Sequence, residues 1–584
     1  MTFLLVAVNA KYIHSNPAVY SLYAYSEDKY ADAMEIAEFT INQRSEDILA
    51  QIYERRPDVI GLSCYIWNWE MITKLLDDLP KILPDTDLWL GGPQVSYHPE
   101  RIFEQYPQLT GIMIGEGEAT FRELLERYQS RDTADFTTVA GLYLSTGFTA
   151  QRDITDLDTI PFLYSSTENF RNRIIYYESS RGCPYRCSYC LSSIEKKLRL
   201  RSLELVKKEL DFFLENKVPQ VKFVDRTFNC VHEHAMAIWQ YIFEHDNSIT
   251  NFHFEISADI LREDEITLLA KMRPGLVQLE IGVQSANPQT LDAICRRMDL
   301  ARLEEVVASI KKNHNIHQHL DLIAGLPYED YESFGRSFDR VYAMHPDQLQ
   351  LGFLKVLSGT PISQQTEEFG IAYTKKPPYE VLYTKWLSYA DVIRLKKIEE
   401  MVELYYNSNQ FVNTLRYLER VFDSPFAMFE TLAEYYEQNG YFLNSPSRAY
   451  RYEVLLAFAE KYDPGKSVLY ADALTCDLYL RENMKTRPVF CRPLTADTYK
   501  TFKHDFYRNE ERTRKYLPGL SGHDAKALSG MTHIELFSYP VWEDLKEEVK
   551  EEVKEAGEYY VLFDYSQRDP LTGDARIIPG IRSH

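Results

Sequence analysis

An α/β chain in three blocks is what the 584 residues predict: a doubly wound parallel sheet, a six-unit (β/α) barrel or part of one, and a mainly helical C-terminal region. Three observations carry this. Apolar strand runs alternate with amphipathic stretches over residues 1–135. Strand then helix repeats six times over 169–376. From 377 glycine becomes rare, tyrosine frequent, and the apolar spacing turns helical. Residues 136–168 read as a connector, with a hairpin turning at Thr146-Gly147 and an extended segment through Leu157-Asp158-Thr159-Ile160-Pro161.

The first block places strands at 3–8, 34–41, 58–63, 86–91 and 110–114, separated by stretches such as Trp69 to Leu76. That alternation makes a parallel, Rossmann-like sheet with helices on both faces. Ligands of such sheets bind beyond the carboxyl ends of the strands, at the topological switch point. Ser63, Gly91-Gly92-Pro93 and Gly115-Glu116-Gly117-Glu118 stand at those ends. Glycines there let the backbone approach a large flat ligand. No G-x-G-x-x-G follows the first strand, so a dinucleotide fits poorly.

The second block places strands at 174–179, 220–225, 251–257, 276–283, 317–324 and 348–356, joined by helices such as Leu203 to Asn216 and Glu332 to Met344. In such barrels function gathers at the C-terminal strand ends. Those ends carry Asp225, Glu255, Gln284, Ser285 and Gly325. A carboxylate between apolar neighbours, as Glu255 is, is costly unless hydrogen-bonded, and two hydroxyls of a sugar would satisfy it. Gln284 and Ser285 can each donate and accept. The third block reads as amphipathic helices over 380–463, then strand, helix and strand at 531–539, 542–556 and 558–564. Leu545, Val549 and Val553 stripe that helix and Gly557 caps it. Tyr405-Tyr406 and Tyr435-Tyr436 read as packing rather than as a stacking platform.

Chemistry concentrates in Ser180-Arg181-Gly182-Cys183-Pro184-Tyr185-Arg186-Cys187-Ser188-Tyr189-Cys190, directly after the strand Ile174-Ile175-Tyr176-Tyr177. Thiolates are the usual protein ligands of iron–sulfur clusters. A zinc site or an ordinary four-iron cluster takes four ligands. Three in one loop, with no fourth nearby, imply a cubane whose fourth iron is open to an outside ligand. The alternative is a zinc knuckle completed by Cys230, His232 or His234, although the second C-x-x-C of such knuckles is missing.

Composition narrows the rest. A net charge of −22 disfavours an extended nucleic-acid surface. The basic run Lys196-Lys197-Leu198-Arg199-Leu200-Arg201 reads either as a solvated loop or as a face toward an anionic substrate or phosphate. No apolar run approaches the roughly 18 residues of a membrane span, and Phe3 to Val8 is too short for a signal-peptide core. Cys64, Cys230, Cys295, Cys476 and Cys491 are scattered and read as packed thiols rather than as a disulfide framework. A cluster needing free thiolates makes a reducing cytoplasm the expected compartment.

The cysteine spacing, with Tyr189 before the last cysteine, resembles the signature of the radical SAM superfamily. The resemblance implies a [4Fe–4S] cluster on Cys183, Cys187 and Cys190 whose open iron chelates S-adenosylmethionine, with Tyr189 against the adenine. It implies that the six units form that family's partial TIM-type barrel. Asp225 would replace the family's Gly-Gly-Glu carboxylate at the methionine amino group, or else pair with Arg226 or Arg181. Glu255 would take the ribose, Gln284 and Ser285 the S-adenosylmethionine or the substrate, and Gly325 the adenine edge. The Gly-Gly-Pro, the Gly-Glu-Gly-Glu and the Gly-x-Gln-Ser strand ending resemble cobalamin-binding members. Ser63, Gly91, Gly92, Pro93, Gly115, Glu116, Gly117 and Glu118 would then hold cobalamin. The loop Asn9-Ala10-Lys11-Tyr12-Ile13-His14-Ser15-Asn16 departs from the Asp-x-His-x-x-Gly of many such domains. His14 lacks the aspartate that would orient it, so it is expected to bond locally rather than ligate cobalt. The C-terminal block resembles a poorly characterised extension behind some of these cores.

The implied activity is release of a 5′-deoxyadenosyl radical and cobalamin-dependent methylation of an unactivated carbon, with an electron donor such as flavodoxin or ferredoxin. Two rivals stand beside it. One keeps the radical step but ends in cyclisation, rearrangement or oxidation. The other is a corrinoid or cluster sensor or carrier without turnover.

Overall fold

A computed structural model of the chain describes residues 1–130, 135–195, 197–484, 486–491, 496–543 and 556–581. Two compact units result. The first comprises Met1–Ile316, Ile323–Asp330 and Gly352–Tyr389; the second His317–Leu322, Tyr331–Leu351 and Ala390–His584.

The first unit opens with β1 (Phe3–Asn9), β2 (Met34–Thr40), β3 (Val59–Ser63), β4 (Asp87–Gly91) and β5 (Gly111–Met113), parallel in the order β2-β1-β3-β4-β5. The chain moves to one side of β1 for β2 and to the other for β3, which puts the switch point between β1 and β3. Period-2 alternation divides β1 between two cores. Leu4, Val6 and Val8 join Ile60, Leu62 and Leu75 on one face, while Phe3, Leu5 and Ala7 meet Trp89, Phe121 and Leu124 on the other. Both faces are covered, so the strand carries no polar side chain before Asn9. The connector hairpin, β6 (Leu142–Leu144) and β7 (Gly147–Phe148), extends this sheet antiparallel from β5.

Next come β8 (Ile175–Tyr177), the short antiparallel pair β9 (Ser180–Arg181) and β10 (Arg199–Leu200), then β11 (Gln220–Phe223), β12 (Asn251–Ile256), β13 (Val277–Gln284), β14 (His317–Ala324) and β15 (Gln348–Phe353). The six long strands stand in the order β15-β14-β13-β12-β11-β8, and β8 through β13 pair in parallel. Each return passes through a helix, which is how parallel neighbours connect. A small antiparallel pair, β16 (Ala372–Tyr373) and β17 (Val381–Tyr383), closes the unit.

The second unit is mainly helical. Pro425–Gln438, Tyr450–Tyr462 and Ser467–Arg481 are its longest regular helices with described side chains. Tyr405 and Tyr436 are buried with their hydroxyls 2.5 Å apart, which makes them packing residues. Asn407 ends a π-helical turn, Val402–Asn407, and its amide both accepts from Leu349 N (2.9 Å) and donates to Leu349 O (2.9 Å). The unit ends in an antiparallel sheet of β18 (Thr532–Phe537), β19 (Tyr559–Arg568) and β20 (Ala575–Ile581). The helix expected over 542–556 lies almost wholly outside the described residues. The sequence analysis placed no strand after 558–564, and β20 contains Pro579-Gly580, a pair that argues against a regular strand. The register skips there, with Leu562 facing Ile578 and Tyr560 facing Ile581, so a bulge accommodates the pair.

Candidate functional site

The three cysteines sit in the loop between β9 and β10, all as free thiols, with Cys183 and Cys187 buried. Gly182 opens the loop at φ +95°, and a Cβ there would meet Lys197 O at 2.4 Å, so only glycine fits where the two arms cross. Ser188 pins the loop to the barrel from both sides: its N–H donates to Ile294 O (2.9 Å) and its C=O accepts from Ile362 N (2.9 Å). Cys183 Sγ lies 3.7 Å from Thr227 Oγ1, and Arg296 Nη1 donates to Cys187 Sγ at 3.7 Å. Burial pushes the Cys183 thiol up, and the neighbouring Cys190 and Cys187 add to that push.

That donor set fits a cubane better than zinc. Zinc–sulfur bonds of 2.3 Å at tetrahedral angles put sulfurs about 3.8 Å apart. Among the described residues, groups whose ligand atoms all lie within 4.8 Å include His232, Asp264 and Glu265, but not the three thiols. The zinc alternative also loses its histidines. His232 stands between Asp264 (3.1 Å) and Glu265 (3.2 Å), and His234 Nε2 is 3.3 Å from Ser179 Oγ. Cys230 is close enough to feel Cys183, yet burial first, then that charge, pushes its thiol up to about 11.

The strand ends hold the residues expected around S-adenosylmethionine. Asp225 is buried and accepts from Ser179 N (3.0 Å), Ser179 Oγ (2.7 Å) and Ser180 Oγ (2.5 Å), rather than from Arg226 or Arg181. Burial raises it to about 6. Glu255 is half-buried on β12, in register with Glu280 of β13. Burial pushes Glu280 up, but His253 (2.9 Å) and Lys222 (3.0 Å) outweigh it and hold the carboxyl at about 2. Gln284 ends β13 with its amide folded over Gly282, where a Cβ would meet Nε2 at 2.3 Å. Ser285 is fully buried; it donates to Glu329 (2.7 Å) and accepts from Asn287 N (3.0 Å), which commits its hydroxyl to the turn. Gly325 lies where any side chain would meet Val381 Cγ1 at 2.7 Å. Tyr189 packs beside Leu291, Ile294 and Leu326.

All eight residues expected at the corrinoid line a single cavity of about 420 Å³. Leu5, Leu22, Leu62 and Met113 form its apolar part, and Tyr176, Glu178, Arg181 and Val224 close it from the barrel side. Gly92 has φ +108°, and a Cβ would meet Cys64 O at 2.5 Å, so its backbone approach depends on glycine. The Glu116 and Glu118 carboxylates are bound to arginines: Glu116 to Arg199 at 2.5 Å and Arg181 at 3.3 Å, Glu118 to Arg181 at 2.9 Å. His14 is not among the lining residues. Its Nδ1 lies 2.6 Å from the hydroxyl of Tyr176, a partner 162 residues along the chain rather than a local one, and Tyr176 does line the cavity. A second cavity of about 930 Å³ shares Tyr97, Gly115, Glu116, Glu178, Arg181 and Val224 with the first and reaches Gly182, Leu191 and Ile194 of the cysteine loop. Sequence reading missed Arg296, Thr227 and the partners of Arg199. Apart from Glu195, four residues from Arg199, nothing in a linear pattern marks them, because Arg296–Cys187, Thr227–Cys183 and Arg199–Glu116 meet across 44 to 109 residues.

Three family models match in sequence: a B12 binding domain over residues 4–125, the radical SAM superfamily over 177–341, and a protein of unknown function (DUF4080) over 367–563. The cobalamin-dependent radical SAM methyltransferase TokK of Streptomyces tokunonensis is 28% identical over 352 residues, 55% of this chain and 51% of that protein. The anaerobic magnesium-protoporphyrin IX monomethyl ester cyclase of Rubrivivax gelatinosus is 22% identical over 352 residues, 55% of this chain and 60% of the cyclase. The match thus spans little more than half of either relative. Among solved structures, the cobalamin-dependent S-adenosylmethionine radical enzyme OxsB, with aqua-cobalamin and S-adenosylmethionine bound, superposes with a TM-score of 0.55 at 17% identity. That match covers 81% of this chain and 78% of OxsB, and it speaks for the fold. In this chain, therefore, a B12 binding domain precedes a domain of the radical SAM superfamily, with a DUF4080 segment behind them.

Proposed function

We propose that this radical SAM enzyme methylates an unactivated carbon in a cobalamin-dependent reaction. The observation that carries the reading is the meeting of two sites within one unit. The cavity lined by the glycines of the first domain and the larger cavity beside the thiol loop share six wall residues, Arg181 among them. When bound, the cluster with S-adenosylmethionine supplies the electron and the radical, and the corrinoid supplies the methyl group.

The chain's own residues hold and orient. Cys183, Cys187 and Cys190 take the cluster, and Arg296 adds a cation beside the Cys187 sulfur. Gly91, Gly92 and Gly115 give the corrinoid its close backbone approach. The 930 Å³ cavity takes the substrate, its apolar wall including Phe148, Ile154 and Ile194, which face solvent in part. Such exposure of large apolar side chains around a concave site favours an apolar substrate body. An electron donor such as flavodoxin or ferredoxin and a cytoplasmic setting complete the reading.

The test uses the anaerobically purified full chain with a reductant, S-adenosylmethionine and methylcobalamin. Formation of 5′-deoxyadenosine that disappears when Cys183, Cys187 and Cys190 are replaced by alanine supports the radical step. Loss of the methyl group from methylcobalamin, and its replenishment from labelled S-adenosylmethionine, supports methyl transfer. Radical formation with an untouched methylcobalamin would turn the reading toward ring closure or rearrangement, in line with the cyclase among the relatives.

A further inference from the structure

Arg181 and Arg199 stand directly opposite each other in the β9–β10 pair, where the chain enters and leaves the cysteine loop. Both reach the same carboxylate. Arg199 grips Glu116 through two nitrogens (2.5 and 3.1 Å), and Arg181 meets it at 3.3 Å. Arg181 also holds Glu118 (2.9 Å) and Glu178 (2.8 Å), and Arg199 holds Glu195 (2.7 Å). Thr155 N donates at 2.7 Å to Glu116 Oε2, the oxygen that also accepts from Arg199 Nη1. Side-chain exposures of 9% for Arg199, 16% for Glu116 and 20% for Arg181 shelter this network from the screening that makes surface pairs weak. Burial pushes Glu116 up, yet the two arginines outweigh it and hold the carboxyl at about 2.

The position of this carboxylate matters more than its strength. Glu116 belongs to Gly115-Glu116-Gly117-Glu118, which lines the corrinoid cavity, and Arg181 lies two residues before Cys183. Nothing lies within 4 Å of where a Cβ at Gly115 would stand, so that side of the turn is open to the cavity.

We propose that Glu116 is a positioning residue that registers the corrinoid site against the cluster site, so that filling one strengthens binding at the other. The inference rests on the reading above only in that the two sites take a corrinoid and a cluster. A cluster held by Cys183, Cys187 and Cys190 would tie the loop together and so fix the spacing of the two guanidinium groups at its base. They in turn hold Gly115-Glu116-Gly117-Glu118 in the shape that lines the cavity. A corrinoid arriving second finds that ordering already done, and the coupling is reciprocal.

The experiment is an absorbance titration of the full chain with hydroxocobalamin, once with its cluster reconstituted and once iron-free. The wild type is expected to bind at least about fivefold more tightly with the cluster in place, the lower end of ordinary coupling. Glu116→Gln is expected to bring the ratio below about twofold while the iron content of the reconstituted chain is kept. A residue that only supports the fold would weaken both titrations alike and leave the ratio standing. Arg199→Gln removes one arm, is expected to give an intermediate ratio, and decides the matter if Glu116→Gln does not fold. Equal affinities in the two wild-type states, or a full ratio in both variants, overturn the proposal and leave the radical reading intact. Absence of corrinoid binding in either state overturns the corrinoid site and the proposal with it.

Discussion

Arg296 brings a guanidinium to the Cys187 sulfur, a contact between residues 109 positions apart. A cation and a donated hydrogen bond both favour the more negative, reduced state of a thiolate-held cluster, so they raise its potential. Arg296→Met is therefore expected to make the cluster harder to reduce. A redox titration followed by electron paramagnetic resonance checks this, and an unshifted midpoint would remove Arg296 from any tuning role. Asp225 gives a prediction with a definite sign. Burial raises its folded pKa to about 6, above the ordinary value of about 3.9. The folded state thus binds a proton that the unfolded chain has released, and the resulting penalty is absent below pH ~4 and complete above pH ~6. Relative to Asp225→Asn, the wild type is expected to lose about 3 kcal/mol of stability across that window. Urea unfolding of the iron-free pair at several pH values reads the difference. A pH-independent gap would mean that the three serine hydrogen bonds keep Asp225 ionised throughout.

At the scale of elements, the β9–β10 arm is anchored by a buried pair. Arg201, directly after β10, meets Glu209 of the Leu203–Glu215 helix at 2.5 Å, and the same carboxylate accepts from Tyr177 of β8 at 2.7 Å. Side-chain exposures of 8% and 5% mean that removing the acid strands a buried cation. Glu209→Ala is expected to cost about 3–5 kcal/mol, whereas Glu195→Ala, whose carboxylate is 35% exposed, should cost under about 1 kcal/mol. Thermal unfolding of the two variants side by side distinguishes them. Elements of this kind were legible in part. Apolar runs located β1 to β5 and the six long strands to within two or three residues, because both faces of a parallel sheet are covered. The glycines and Ser63 of the first domain could be gathered into one site for the same reason, since strand order fixes which loops share an end. What the chain does across that end was not legible. Glu116 and Arg199 are 83 residues apart, and no spacing rule links a carboxylate in one sheet to a guanidinium in the next. Ser285, at the strand end where a ligand contact was expected, donates to Glu329, 44 residues away, a pairing that only tertiary structure shows. β20 contains a Pro-Gly pair that argues against a regular strand, and a bulge absorbs it.

For the molecule as a whole, the net charge of −22 keeps copies apart at low salt. At 1 M salt, where the Debye length shrinks to about 3 Å, that protection vanishes. What remains is the treatment of exposed backbone. β15 is the last strand of its sheet, the position at which unpaired N–H and C=O groups can serve as a template for another chain. Asn407 answers both groups of Leu349 with one side-chain amide, imitating for a single residue the neighbour that a further strand would provide. It acts as a plug in the sheet's seam. Asn407→Ala should leave the seam open and favour zippering of one copy to the next. Sedimentation velocity at high salt should then show association that grows with concentration in the variant and not in the parent. Monomeric behaviour of both would assign the plug to local folding alone. If association follows, a single amide is what separates a protein that stays dispersed from one that polymerises edge to edge.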